Sequence, residues 1–169
     1  MMSPTRPERE EDTRPPGPPD RPAEADRATP VSGAAEVQAR LELHLSQCRR
    51  RGGVLALLCV SVHTVGLPDG EVSANLEQRV RQEVSNRIGN AVRASDAILR
   101  ESERDTCVVL PGADRAVAER VGRRLERLVN GDYRVAGKLL QVAVRIGWAL
   151  HPQDGLRAQE LLRKAGDRG

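Results

Sequence analysis

Phenylalanine is absent from these 169 residues, and tyrosine and tryptophan occur once each. The core must therefore be assembled from Leu, Val, Ile and Ala. The same scarcity removes the stacking platforms on which single-stranded nucleic acid is read, which counts against an RNA-recognition sheet. Long apolar runs are missing as well: none approaches the ~20 residues of a membrane span. Cysteine is sparse. Cys48, Cys59 and Cys107 make an odd count without metal-type spacing, and two of them lie in apolar strand patterns. They read as reduced core thiols of a cytoplasmic protein. His44, His63 and His151 have no second ligand at metal-binding spacing, so neither a metal nor another cofactor is expected.

Proline is not scarce but segregated: eight of eleven fall in residues 1–30. That stretch holds five Arg against seven Asp and Glu, a net of −2, and almost no large apolar side chains. Such a segment buries too little apolar surface to offset chain entropy, so residues 1–32 read as a disordered, Pro-rich charged tail. It has no apolar core of a secretory signal, and it is too weakly basic for a nucleic-acid arm. The rest of the chain carries +5 (+3 minus −2). Arg-rich helix faces account for it, a weak pointer to an anionic partner.

Residues 33–169 read as one domain. "AAEVQARLELHLSQCRRRGG" has helical spacing and stops at Gly52-Gly53. "VLALLCVSVHTV" is a buried strand and "GLPDGE" a turn. In "SANLEQRVRQEVSNRIGNAVR", Leu76, Val80, Val84, Ile88 and Val92 recur every four residues, with Ser73 as cap. "DAILRES" and "DTCVVLP" form a hairpin with the charged tip "ESERD". "DRAVAERVGRRLERLVNG" is a second amphipathic helix, "LLQVAVRIGWALHP" a long strand, and "LRAQELLRKAG" a short helix. The order predicts an α+β fold: a ferredoxin-like or palm-like βαββαβ antiparallel sheet with helices packed on one face.

Three stretches carry a resemblance to the GGDEF domains, the diguanylate cyclases that make cyclic di-GMP from two GTP. "VRASDAILRESERDTCVVLPG" resembles the signature hairpin, R-x-x-D-x-x-x-R-x-G-G-D-E-F followed by an apolar strand ending in L-P. "VAVRIGWALHPQDG" is similar to the family's strand and turn, with Ile146-Gly147, Pro152 and Asp154-Gly155 at its fixed intervals. "LLRKAG" resembles the start of the closing helix, which is cut short here relative to the family.

The departures from that pattern imply a degenerate member. Ser102, Glu103, Arg104, Asp105 and Thr106 replace G-G-D-E-F. The glycines that let GTP approach the backbone are gone, and Arg104 stands at a metal carboxylate's position. On the first strand Ser61 and His63 stand where the family has two Asp. Phosphoryl transfer needs divalent cations held by carboxylates, and Asp105 by itself does not assemble a two-metal clamp. The resemblance therefore implies no cyclase activity and no catalytic residue.

What survives is the family's inhibitory product site. Arg93-Ala94-Ser95-Asp96 keeps its R-x-x-D, five residues before Ser102, and Arg124 aligns with the Arg that completes it. A guanidinium forks onto a guanine edge or a phosphate, and a carboxylate accepts from guanine N–H groups. Arg120, Arg123, Arg124 and Arg127 have the spacing of one basic helix face. The same residues also suit plainer roles, Arg93 at a helix C-terminus and Asp96 in a turn. Three readings stand: a cyclic di-GMP receptor, a nucleotide-independent interaction module or homodimer, and activity on another nucleotide. For a partner surface the candidate is the stripe Val37, Leu41, Leu45 and Cys48, which serves equally to pack the first helix on its own sheet.

Overall fold

The computed structural model describes residues 33–67, 70–102 and 105–169. The expected tail, Glu103 and Arg104 of the hairpin tip, and Pro68-Asp69 of the first turn lie outside the described residues. The elements are α1 (Gly33–Arg50), β1 (Leu55–Gly66), α2 (Ala74–Ala91), β2 (Ala97–Arg100), β3 (Asp105–Pro111), α3 (Arg115–Val129), β4 (Gly131–Val135), β5 (Lys138–His151) and α4 (Ala158–Asp167). The α+β antiparallel architecture expected from the sequence is present.

Two corrections concern the sheet. It has five strands in the order β2-β3-β1-β5-β4, all neighbours antiparallel. The extra strand, β4, was hidden in "GDYRV", five residues whose only apolar side chains are Tyr133 and Val135. Its hairpin to β5 turns on Ala136 and Gly137 at φ +51° and +75°. A tight hairpin of this hand usually advertises itself as Asn-Gly, and here Ala holds the first position.

The helices cover both faces of the sheet rather than one. Strand residues alternate in direction, so β1 feeds two cores. Ala56, Leu58, Val60 and Val62 pack with Leu76, Val80, Val84 and Ile88 of α2 and with Ala118, Leu125 and Val129 of α3. Leu55 and Leu57 face the other way, with Val37, Leu41 and Leu45 of α1 and Ala158, Leu161 and Ala165 of α4. The α1 stripe offered above as a partner surface is therefore spent on its own sheet: Val37, Leu41 and Leu45 are fully buried. Glu42 also accepts from the Ala158 amide at 2.7 Å, and Arg49 donates to the Leu156 carbonyl at 2.9 Å, fastening α1 to the start of α4.

Local chemistry sets the ends. Ser73 and Asp114 cap α2 and α3 by accepting from the Leu76 and Val117 amides. Asp154 closes the turn after β5 by accepting from the Leu150 amide at 2.9 Å, while Arg168 grips both its oxygens at 2.8 and 3.0 Å. Burial raises the Asp154 carboxyl's pKa, but the Arg168 and Leu150 hydrogen bonds and the Arg168 charge outweigh it, and the net pKa lies below the ordinary value. Gly147 lies beneath α4, whose Ala165 carbonyl crosses directly over it. A side chain at this position would occupy the space of that backbone, a packing reason for the glycine after Ile146.

Candidate functional site

Two regions hold the polar residues singled out in the sequence. The first is the end of the β1–β3 pair. Register sets Ser61 directly opposite Asp105 and, on the other side, opposite Arg145. The Ser61 hydroxyl donates to Asp105 Oδ1 at 2.6 Å, and Ser102 Oγ donates to Oδ2 at 2.9 Å. The Asp105 amide in turn donates to Ser102 Oγ at 3.0 Å. The carboxylate of Asp105 thus helps to close the hairpin neck. Thr106 is buried, while exposed His63 lies with Ser61, Cys59 and Arg145 along a small cavity under the last turn of α4. No group of three or more His, Cys, Asp or Glu among the described residues is gathered to hold a metal ion. Ser61 and Asp105 offer one carboxylate where two-metal chemistry needs several anionic oxygens, so this donor set does not fit such a centre.

The second region begins where α2 ends. The chain turns through Arg93–Asp96 into β2. Asp96 Oδ2 accepts from the Arg93 amide at 2.8 Å, and the Asp96 amide donates to the Arg93 carbonyl at 3.0 Å. Ser95 Oγ donates to Asp96 Oδ1 at 3.4 Å. Asp96 therefore does serve the turn, yet a carboxylate has about four acceptor sites, so capacity remains on it.

Opposite the turn runs α3. Arg124 donates to the Ala91 carbonyl at 2.7 Å, meeting the negative end of α2 and tying the helices together. Arg93, Asp96 and Arg124 all line one open cleft of about 340 Å³, floored by Leu110, Ala113, Val117 and Val121. Arg120 and Arg127 line it too. Arg123, which helical spacing grouped with them, is not in the lining: it lies 3.9 Å from Glu119, which also accepts from Arg115.

Sequence reasoning missed the neighbouring hollow between α2 and α3, about 600 Å³, lined by Arg87, Asn90, Ala91, Arg124, Arg127 and Leu128. Arg87 lies 3.7 Å above the Tyr133 ring, and Tyr133 donates to the Val129 carbonyl. The one signal available was Arg87 at i−6 from Arg93, a spacing that means nothing until α3 is docked.

The family model for "Diguanylate cyclase, GGDEF domain" matches residues 23–168. The chain belongs to the GGDEF family. A GGDEF family protein of the sensory-box type from Caulobacter crescentus superposes with a TM-score of 0.71 at 24% identity, over 86% of this chain and 95% of that one. The diguanylate cyclase SiaD of Pseudomonas aeruginosa, solved with its activator SiaC, superposes with a TM-score of 0.68 at 18% identity, over 82% of this chain and 53% of that one. Among curated proteins, the cyclic di-GMP phosphodiesterase NbdA of Pseudomonas aeruginosa is 27% identical over 123 residues, 73% of this chain. This GGDEF domain spans only 16% of NbdA's length.

Proposed function

We propose that this GGDEF domain is a catalytically inactive receptor for cyclic di-GMP, bound at Arg93, Asp96 and Arg124. The observation that carries the reading is the meeting of these three side chains, from two separate elements, on one basic cleft. Arg120 and Arg127 supply further donors for the phosphates, and the apolar floor suits a base. Inactivity is argued from the other region. Ser61 stands at a carboxylate's place in the family pattern and donates to Asp105, so this register pair offers one carboxylate where triphosphate chemistry calls for two.

Calorimetric titration of cyclic di-GMP tests the receptor. Wild type should bind in the micromolar range, and Arg93→Ala should weaken binding at least about tenfold, because a charge-assisted hydrogen bond is worth roughly 1.5–3 kcal/mol. Absence of heat with folded protein would sink the reading. Inactivity is checked separately, by incubation with GTP and Mg²⁺ or Mn²⁺; turnover above a no-enzyme control overturns it.

A second reading, a protein-interaction module, draws on the SiaD structure with its activator. The surface concerned is not the α1 stripe, which is buried.

A further inference from the structure

Cys59 of β1 and Cys107 of β3 stand directly opposite one another in register, and their sulfurs lie 2.8 Å apart. Both are free thiols. Opposed residues of an antiparallel pair have Cα atoms about 4.5–5.5 Å apart. That falls inside the ~4.4–6.8 Å that a disulfide spans, so the strand spacing itself is compatible with a bond. The two thiols differ in access. Cys107 is fully buried, whereas Cys59 lines the cavity of about 140 Å³ shared with Ser61, His63 and Arg145. The remaining cysteine, Cys48, lies on α1 against Gly53.

The geometry points to a reversible cross-strand disulfide between Cys59 and Cys107, with Cys59 meeting a small peroxide and Cys107 resolving the product. In the first step the Cys59 thiolate attacks one peroxide oxygen. The O–O bond breaks, Cys59 becomes a sulfenic acid, and the other oxygen leaves as hydroxide and takes a proton to give water. In the second step Cys107 attacks the Cys59 sulfur. The S–O bond breaks, the Cys107 proton goes to the departing hydroxyl as water, and the S–S bond forms. Two electrons pass from the sulfurs to the peroxide, and a dithiol returns them. The hydrogen bond with Cys59, then burial, then the neighbouring charges hold the Cys107 thiol well above its ordinary pKa, which leaves the first attack to the accessible Cys59. Once closed, the bond staples β1 to β3 two residues from Ser61 and Asp105. It encloses the whole intervening chain, α2 and the Arg93–Asp96 turn included.

The test exposes the full wild-type chain to hydrogen peroxide, alkylates remaining thiols in denaturant, and maps peptides without reduction. One intramolecular link joining the Cys59 and Cys107 peptides is expected, with Cys48 alkylated and dithiothreitol restoring both thiols. The link should persist in Cys48→Ser. In Cys107→Ser a sulfenic acid at Cys59 should be trapped by dimedone. The proposal is overturned if Cys59 proceeds to sulfinic acid in wild type while Cys107 stays alkylatable. It also fails if the bonds formed involve Cys48, or if both thiols survive peroxide that oxidises Cys48.

Discussion

Replacing Gly147 by Ala should destabilise the domain by about 2 kcal/mol, although it adds a single methyl group. A Cβ built there overlaps the Ala165 carbonyl oxygen and comes 2.9 Å from that carbonyl's carbon and 2.8 Å from the Gly169 nitrogen. Ordinary carbon–oxygen contacts begin near ~3.3 Å, so the last turn of α4 must retreat by on the order of 1 Å. The obstacle is backbone, which cannot swing aside as a side-chain tip would. Retreat loosens the burial of Ala165 and the grip of Arg168 on Asp154 and on the Trp148 carbonyl. Overlap with backbone puts the overpacking cost at the upper end of its range, about 3 kcal/mol, and the reduced freedom of the unfolded chain returns about 0.5–1, leaving about 2 kcal/mol.

Urea unfolding measures it, with Trp148 as reporter: it is the one tryptophan, adjacent to Gly147, with Arg168 lying 4.7 Å from its ring centre. At a slope of about 2 kcal/mol per molar urea, the midpoint should fall by roughly 1 M. Gly122→Ala is the control. Its Cβ would meet Leu58 and Ile146 at 3.8 and 4.0 Å, ordinary contact inside α3. That variant should gain up to about 1 kcal/mol from helix propensity. A Gly147→Ala midpoint within roughly 0.2 M of wild type, or equal shifts in both variants, would refute the argument.

Truncation of Leu41 to Ala should cost about 2–5 kcal/mol by the same unfolding assay, because its side chain is fully buried between α1 and the sheet. Ala136→Asn should raise stability by roughly 1 kcal/mol, since Asn tolerates the left-handed conformation held there; an unchanged melting temperature would count against the strain. Acidification should destabilise the domain. His44, lowered by burial and by Arg40, Glu160, lowered by the Leu156 and Arg157 amides, and Asp154 all bind protons more weakly folded than unfolded. Their contributions are complete above the unfolded pKa values and fade as pH falls, from about 6.5 for His44 and from about 4 for the carboxyls. Asp154→Asn should flatten the acid limb of midpoint against pH. Finally, Arg123→Ala should leave cyclic di-GMP affinity unchanged while Arg124→Ala weakens it, a contrast that calorimetry reads directly.

Sequence by itself determined the elements that announce themselves through nearest neighbours along the chain. The four-residue recurrence of Leu76, Val80, Val84 and Ile88 specifies α2, and all four prove buried. The intervals of Arg93, Asp96 and Asp154 carried the resemblance in part because they answer local needs, the turn after α2 and the turn after β5; the reason for Gly147, the α4 backbone above it, came only with the fold. Tertiary structure decided what depends on partners far along the chain. The strand β4 escaped notice because it is only five residues long, its alternation is confined to Tyr133 and Val135, and its turn lacks the usual Asn. Whether the α1 stripe faces a partner or its own sheet is a question of what covers it, which periodicity does not contain. Arg123 and Arg124 are neighbours in sequence; Arg123 meets Glu119 one turn back on its own helix, whereas only the docking of α3 against α2 carries Arg124 to the Ala91 carbonyl and the cleft. Cys59 and Cys107 are brought sulfur to sulfur by strand register alone, across 48 positions. Propensity and spacing act over a few residues, whereas register and docking are settled by the burial of the whole core.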